Sequence, residues 1–153
     1  MFTPLKFQKN TLEKLTKKFV HLWSQTESQR YLVFKSPTGS GKTFAVCNLI
    51  NELNSLPNWD YDKCFIWITF SDELAMQSKE KFQSYFNTTL QNNLITVNDF
   101  NQGKLHKNDV LFINWQKLVS RKAKDRVLRR PEEEELRKEQ GYYFEDFIEN
   151  TQS

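Results

Sequence analysis

The sequence predicts an α/β fold with a mainly parallel sheet and flanking helices, and three observations support this. Apolar runs of strand length alternate along the chain with segments whose apolar residues recur at helical spacing. The run at 64–70, CFIWITF, is continuously apolar, as expected for a strand of a parallel sheet that is covered on both faces. A glycine-containing loop at 36–43, SPTGSGKT, separates the first apolar run from a helical pattern.

The first third of the chain predicts a helix, a strand and a second helix. Thr3 is a suitable cap for the first helix, and Pro4 suits its first turn. The polar stretch 24–30 ends this helix, YLVFK at 31–35 follows as a short strand, and a second helix covers about 42–54. The apolar positions of the first helix are Leu5, Leu12, Leu15, Phe19, Leu22 and Trp23.

The middle of the chain predicts a third helix and three strands. The apolar run at 64–70 forms a strand, and Ser71 is a good N-cap for a helix that extends to about Phe86. Two further apolar runs, 94–97 and 110–114, are strand candidates. The rest of the chain, from about residue 120 onward, is densely charged and is predicted to be helical.

The composition indicates a globular protein, with 38% hydrophobic residues and 13 phenylalanines. The net charge of +3 is compatible with nucleic-acid binding and with ordinary solubility, so it does not distinguish them. Cys47 and Cys64 lack the paired spacing of a metal cluster and suit a reduced protein. No apolar stretch has the length of a signal peptide or a membrane span, so a cytoplasmic protein without a membrane partner is expected.

The loop at 36–43 has the chemistry of a phosphate-binding loop. Backbone N–H groups that curl round an anion at a helix N-terminus require glycine where the backbone takes unusual dihedral angles. Gly39 and Gly41 are two of only four glycines in the chain. Lys42 supplies a positive charge for the β- and γ-phosphates, and Thr43 supplies a hydroxyl for Mg²⁺. The other interpretation is a Gly/Ser turn with an incidental Gly-Lys-Thr.

The predicted site therefore binds a nucleoside triphosphate together with Mg²⁺. Ser36 takes the place of the first glycine in the usual G-x-x-x-x-G-K-[ST] pattern, at a strand exit where a small residue can serve. Lys42 and Thr43 are the candidate catalytic residues, and Thr43 is also the candidate Mg²⁺ ligand. The candidate nucleotide-binding residues of the loop are Thr38, Gly39, Ser40, Gly41, Lys42 and Thr43.

SPTGSGKT also resembles motif I of superfamily-two helicases and translocases, which implies a RecA-like domain that uses ATP and Mg²⁺. Upstream, PLKFQ at 4–8 is similar to the L-R-x-Y-Q element of that superfamily, whose glutamine reads the edge of adenine. Lys6 and Phe7 depart from that element. The resemblance implies that Gln8 contacts adenine, and the alternative is a solvated helix residue.

Further segments extend the resemblance over nearly the whole chain. IWITFS at 66–71, leading to Leu74 and Gln77, is similar to motif Ia, a strand end that contacts the nucleic-acid backbone. VLFINWQKL at 110–118 and FEDFIENT at 144–151 resemble segments of the Res subunits of type III restriction enzymes. This resemblance implies DNA as a partner, and with it a methyltransferase modification subunit. The implied DNA contacts are Thr69, Ser71 and Asn114.

The acidic residues that complete ATP hydrolysis come, in the resembled family, from a D-E-A-H strand end, and the sequence offers one weak counterpart. This is FSDE at 70–73, where Asp72 and Glu73 have a sufficient structural explanation as first-turn acids of a helix. The alternative makes them Mg²⁺ ligands. We therefore expect residues 1–153 to be the N-terminal part of one RecA-like ATP-binding domain, truncated before the DEAH motif of a larger DNA translocase.

Other functions stay open on the sequence alone. A small, complete P-loop kinase or nucleotidase would use the basic residues between 121 and 130 as a lid, whereas in a translocase they either neutralise phosphates or form a solvated helix face. A generic DEAD/DEAH-box helicase fragment and a binding module without catalysis are further alternatives. On the translocase interpretation the intact protein hydrolyses ATP, whereas this chain alone binds ATP weakly and hydrolyses little or none. Its incomplete sheet is expected to expose strand edges that favour self-association.

Overall fold

The computed structural model describes residues 5–25, 30–57, 59, 61–99, 104–119 and 151. They form α-helices and a parallel three-stranded sheet, which confirms the predicted α/β class. The helices are α1 Lys6–Trp23, α2 Lys42–Leu53, α3 Asp72–Phe86 and α4 Trp115–Val119. The strands are β1 Phe65–Thr69, β2 Asn93–Thr96 and β3 Asp109–Asn114. Two short 3-10 turns, Asn87–Thr89 and Val97–Asp99, flank β2.

The described residues divide into two compact units. The first unit holds those up to Tyr61 together with Lys81–Gln91. The second unit holds Asp62–Glu80 and those from Asn92 onward.

In the first unit, α1 packs against α2 through apolar side chains. An aromatic cluster extends this core at the end of α1, where the Trp23 ring lies 5.7 Å from the Trp59 ring and 5.9 Å from the Tyr61 ring. Burying such apolar surface is the main source of stability, so this packing holds α1 against the helix that follows the loop. The buried apolar residues of the unit are Leu15, Phe44, Ala45, Cys47, Leu49, Ile50, Leu53, Trp59 and Phe82.

The second unit is built on a three-stranded parallel sheet in the order β1-β3-β2. The central strand β3 is buried along its whole length, as an interior strand of a parallel sheet should be. One face of it packs into a cluster formed by Leu105, Leu111 and Ile113. The register pairs Thr69 with Asn114, so the carboxyl ends of β1 and β3 coincide. This edge is where α/β proteins place their ligands.

Most of the predicted elements are found close to their expected bounds. The helices α2 and α3 and all three strands of the sheet match the sequence-based assignments to within one or two residues. The N-cap of α3 is confirmed, because the Oγ of Ser71 accepts the N–H of Leu74 at 3.2 Å. The first helix ends at Trp23, immediately before the polar stretch that was expected to end it.

The prediction of a strand at 31–35 is wrong. The structure describes this segment without regular secondary structure, although its side chains alternate between half-buried and exposed. Tyr31 and Val33 are 80% and 75% exposed. An apolar run becomes a strand only where a neighbouring strand accepts its backbone hydrogen bonds. The apolar run can be seen in the sequence, whereas the presence of a pairing strand cannot.

The position of β1 in the sheet also differs from the expectation. Its continuous apolar run predicted a strand covered on both faces, yet β1 is an edge strand of the described sheet, and Ile68 is 45% exposed. The strand with both faces covered is β3. Apolar content therefore identified the three strands of the sheet correctly, but it did not predict which of them is the most buried.

Thr151 is the one described residue beyond residue 119. The backbone N–H of Leu105 donates to its Oγ1 at 3.0 Å. Over the described ranges, no helix combines the length and the apolar character needed to cross a membrane.

Some expectations concern residues outside the described ranges. They are the Thr3 cap, Pro4, the basic stretch 121–130, the charged segment as a whole over 120–150, and FEDFIEN at 144–150.

Candidate functional site

The loop that precedes α2 has the backbone of a phosphate-binding loop. Gly39 and Gly41 take φ values of 79° and 82°, in the left-handed region that residues with a Cβ rarely adopt. Gly41 is the residue immediately before α2, so the loop turns directly into a helix N-terminus. The first N–H groups of a helix have no acceptor within the helix and are suited to bind an anion. The glycine spacing therefore predicted this backbone correctly.

Two serine hydroxyls form a hydrogen bond across the loop. The Oγ of Ser36 lies 2.5 Å from the Oγ of Ser40, which in turn donates to the carbonyl oxygen of Pro37 at 2.7 Å. The N–H of Ser40 donates to the same carbonyl at 3.3 Å. Ser36, which stands where the usual pattern has glycine, thus makes a hydrogen bond that glycine could not make.

The side chain of Lys42 lies across the same loop. Its Nζ donates to the carbonyl oxygens of Ser36 at 2.6 Å and of Pro37 at 2.9 Å. An ammonium group has three N–H donors, so these two carbonyls leave one donor for an anion. The loop thus fixes a positive charge close to its own backbone, which is what binding of a polyphosphate requires.

Gln8 connects the start of α1 to the loop. Its Oε1 accepts the N–H of Leu5 at 2.8 Å. A Cβ placed on Gly41 would lie 2.8 Å from the Nε2 of Gln8, whereas one placed on Gly39 would meet no atom within 4 Å. Gly41 thus meets two demands, a left-handed backbone and the close approach of a side-chain amide. The residue predicted to read adenine lies beside the loop predicted to bind phosphate.

In the second unit, short hydroxyl side chains lie where β1 ends. The Oγ1 of Thr69 donates to the carbonyl oxygen of Ser71 at 2.8 Å, and the Oγ of Ser71 caps α3. Asn114 ends the neighbouring strand and pairs with Thr69 in the register. The three residues predicted to contact DNA are therefore brought together at one edge of the sheet.

A polar network ties the same edge to two helices. The Nδ2 of Asn114 donates to the Oδ1 of Asp72 at 2.7 Å, and the Nζ of Lys117 lies 2.9 Å from the same carboxylate oxygen. The Oδ1 of Asn114 accepts the backbone N–H of Lys117 at 2.8 Å, which places Asn114 as the cap of α4. Asp72 is thus occupied by an amide and an ammonium group, which favours its interpretation as a structural acid over that of a Mg²⁺ ligand.

A pocket of 170 Å³ opens beside this network, with Asp72, Thr96 and Lys117 in its lining. Thr96 is fixed by Asp99, whose Oδ2 accepts the Thr96 N–H at 2.9 Å and its hydroxyl at 2.7 Å. These hydrogen bonds, assisted by Lys79, hold the pKa of the Asp99 carboxyl below its ordinary value. The lining of the pocket combines the charged side chains of Asp72 and Lys117 with apolar ones.

A comparison with models of protein families matches residues 1–148 to the family described as type III restriction enzyme, res subunit. The chain belongs to the res-subunit family. The match covers nearly the whole sequence, and it confirms the resemblance that SPTGSGKT and the later segments indicated. Searches of the curated proteins and of the solved structures find no significant match.

Membership in the res-subunit family supports an ATP-dependent, helicase-like domain. The predicted site residues of this res-subunit chain fall into two groups, one in each unit. Gln8 and the loop residues Thr38 to Thr43 belong to the first unit, and the strand-end residues Thr69, Ser71 and Asn114 belong to the second. Thr38 lies in the exposed turn before Gly39, and Thr43 is the second residue of α2 and is half-buried.

The partnership of Asp72 with Lys117 is the part of the res-subunit site that sequence reasoning missed. One signal was present, because Asn114 and Lys117 have the three-residue spacing of a cap and its N–H donor. The contact between Asn114 and Asp72 spans 42 positions, and no local pattern encodes a separation of that size. Asp72 was accordingly interpreted from its place in the helix alone.

The loop residues fit a nucleoside triphosphate with Mg²⁺. The empty surroundings of a Cβ at Gly39 mean that there is room beside the first left-handed residue. The helix N-terminus and the Lys42 ammonium offer N–H donors, and the Thr43 hydroxyl is a hard oxygen ligand of the kind that Mg²⁺ prefers. Within the part of the chain that the structure describes, no group of three or more His, Cys, Asp or Glu side chains could hold a metal ion.

Proposed function

We propose that the chain is the ATP-binding N-terminal portion of an ATP-dependent DNA translocase of a type III restriction enzyme. One observation carries this proposal: two left-handed glycines, Gly39 and Gly41, stand directly before α2, and the Lys42 ammonium is held across the same loop. The match to the res-subunit family supports the same function.

In this proposed function, different residues bind the phosphates, the Mg²⁺ ion and the adenine of ATP. Bound Mg²⁺–ATP supplies a phosphoanhydride bond whose hydrolysis releases the free energy used for movement along DNA. The N–H groups of the loop from Gly39 onward donate to phosphate oxygens, and Lys42 balances their charge. The Thr43 hydroxyl holds Mg²⁺. Gln8 carries both a donor and an acceptor, as recognition of the adenine edge requires.

The strand ends of the second unit form the DNA side of the proposed motor. Thr69 and Ser71 contact phosphate oxygens through short hydroxyl groups, which position a duplex without reading its sequence. Asn114 is buried and is hydrogen-bonded to Asp72 and to the Lys117 N–H, so its role is to position these two residues at the strand ends. A methyltransferase modification subunit, self-association through the edges of β1 and β2, and a cytoplasmic location belong to the same proposal.

Titration calorimetry of the purified chain with Mg²⁺–ATP tests the nucleotide site. We expect Lys42→Ala to weaken binding about tenfold or more, because a charge-assisted hydrogen bond to phosphate is lost. Lys35→Ala is the matched control, since Lys35 is exposed and lies outside the loop, and it should bind ATP like the wild type. Equal ATP affinity in the Lys42→Ala and wild-type chains would contradict the proposed site.

Phosphate release separates the motor portion from a complete kinase or nucleotidase. We expect the chain alone to release phosphate from ATP slowly or not at all, with or without duplex DNA, and to transfer none to a nucleoside. Robust turnover that is lost in Lys42→Ala would contradict this, and it would return Asp72 and Glu73 to consideration as metal ligands.

A further inference from the structure

Among the described helices and strands, α1 carries the largest excess of positive charge. The helix carries five lysines and one glutamate, a formal charge of +4, whereas the whole chain has 22 basic and 19 acidic residues and a charge of +3. The rest of the chain therefore has 17 basic and 18 acidic residues, a charge of −1. The other run of positive charge in the sequence, the basic stretch 121–130, lies outside the described residues.

The helical repeat gathers these lysines on one exposed face. Lys14, Lys17, Lys18 and His21 stand at positions i, i+3, i+4 and i+7, which lie on the same side of a helix, and all four are exposed. The opposite side is committed to the core of the first unit, where Leu15 is buried. We refer to Lys14, Lys17, Lys18 and His21 as the basic face of α1.

The lysines of the basic face differ from three other described lysines in having no acidic partner. Lys79, Lys107 and Lys117 each form an ion pair with an aspartate. Over the described residues, no ion pair involves a lysine of α1. Unpaired lysines keep their full charge available for a polyanion.

We propose that the basic face of α1 binds the phosphate backbone of duplex DNA, as a contact separate from the strand-end residues Thr69, Ser71 and Asn114. The choice of DNA rests on the proposed function, whereas the concentration of charge is independent of it. From Lys14 to His21 the helix rises about 10 Å, which is long enough for two lysines to reach different phosphates of one strand. Lysine point charges without an aromatic or amide partner are suited to bind the backbone without reading its sequence.

Salt dependence of DNA binding tests this proposal. The triple variant Lys14→Gln/Lys17→Gln/Lys18→Gln keeps good helix formers and removes three charges. The control, Lys35→Gln/Lys81→Gln/Lys104→Gln, removes three charges from exposed lysines outside α1. Fluorescence anisotropy with a duplex oligonucleotide, between about 50 and 200 mM salt, gives the slope of log K against log salt for each chain. We expect the slope to fall by roughly 2 to 3 in the α1 variant and by less than about 1 in the control.

Three results would overturn the proposal. They are equal slopes in the two triple variants, wild-type binding too weak to measure at the lowest salt, and a loss of binding to phosphatidylserine vesicles in the α1 variant without any change in its DNA slope. Calorimetry with Mg²⁺–ATP on the same proteins keeps this proposal distinct from the nucleotide site. If wild type fails to bind ATP while the slopes still differ, the proposed function fails and the DNA contact on α1 stands.

Discussion

The Nδ2 of Asn114 donates to the Oδ1 of Asp72 at 2.7 Å, which joins the end of the central strand to the first residue of α3. The same asparagine accepts the N–H of Lys117 and so starts α4. Two residues with unrelated predicted roles, a DNA contact and a helix-start acid, are thus parts of one network. The Asn114 side chain is buried, and its two polar atoms are hydrogen-bonded within the protein. Its main contribution is therefore to the stability of the folded chain.

Replacement of Asn114 should therefore destabilise the second unit. Asn114→Ala removes a helix cap and a hydrogen bond to a carboxylate, and we expect a loss of about 1 to 2 kcal/mol in the free energy of unfolding. Asn10→Ala is the control, because Asn10 is exposed on α1, and its effect should stay within about 0.5 kcal/mol. Urea denaturation followed by circular dichroism measures both. Equal stability of the two variants would show that the network contributes nothing.

Ser71 has a structural role and a proposed DNA role, and two substitutions separate them. Ser71→Ala removes the cap of α3 and should lower the free energy of unfolding by about 1 kcal/mol. Ser71→Asp keeps a capping oxygen, so stability should change by less than about 0.5 kcal/mol, whereas the added negative charge should weaken duplex binding about fivefold. DNA anisotropy and urea denaturation on both variants check this. Wild-type DNA affinity in Ser71→Asp would contradict a phosphate contact at this position.

Local chemistry explains which parts of the fold and site the sequence could predict. The left-handed glycines, the start of α2 and the Ser71 cap depend on residues within a few positions of one another, and each of them was predicted correctly. Such features have a fixed chemical cause, since only glycine adopts a left-handed backbone freely and only a few side chains cap a helix. Their presence could be inferred without knowing any tertiary contact.

The features that were missed depend on distant partners. The segment 31–35 has the apolar run of a strand, but whether it pairs is decided by another part of the chain. The bond between Asn114 and Asp72 likewise joins residues that no pattern relates. The close approach of Gln8 to Gly41 lies between these cases, because the resemblance to a family motif singled out Gln8 as an adenine contact but did not place it beside Gly41.

That contact makes the two loop glycines unequal. Alanine at position 39 or 41 would be held at a positive φ, which costs roughly 1 to 2 kcal/mol, and at 41 its Cβ would also displace the Gln8 amide from its bond to Leu5. We expect Gly41→Ala to weaken ATP binding more than Gly39→Ala. Adding Gln8→Ala should remove most of that difference, because no amide is then left to displace. Calorimetry with Mg²⁺–ATP on the two glycine variants, each with and without Gln8→Ala, measures this. Equal losses of ATP affinity in Gly39→Ala and Gly41→Ala would contradict the argument.

Burial of a thiol in the first unit predicts how stability depends on alkaline pH. Burial raises the pKa of Cys47 from an ordinary value of 9.0 to about 12. The unfolded chain then loses this proton near pH 9.0 while the folded chain keeps it, so the contribution is complete below pH 9.0 and is lost as the pH rises toward 12. Within that window the thiol should lower the free energy of unfolding by up to about 1.4 kcal/mol per pH unit.

Cys47→Ala isolates this contribution. Other groups titrate in the same range, but they are shared by the wild-type and variant chains, so only the difference between their curves reports the thiol. Urea denaturation at pH 8 to 10.5 should show stability falling less steeply above pH 9 in Cys47→Ala than in the wild type. Burial also raises the pKa of the half-buried Cys64, and Cys64→Ala serves as the comparison. Parallel curves for Cys47→Ala and the wild type would show that the thiol at position 47 ionises equally in the folded and unfolded chains.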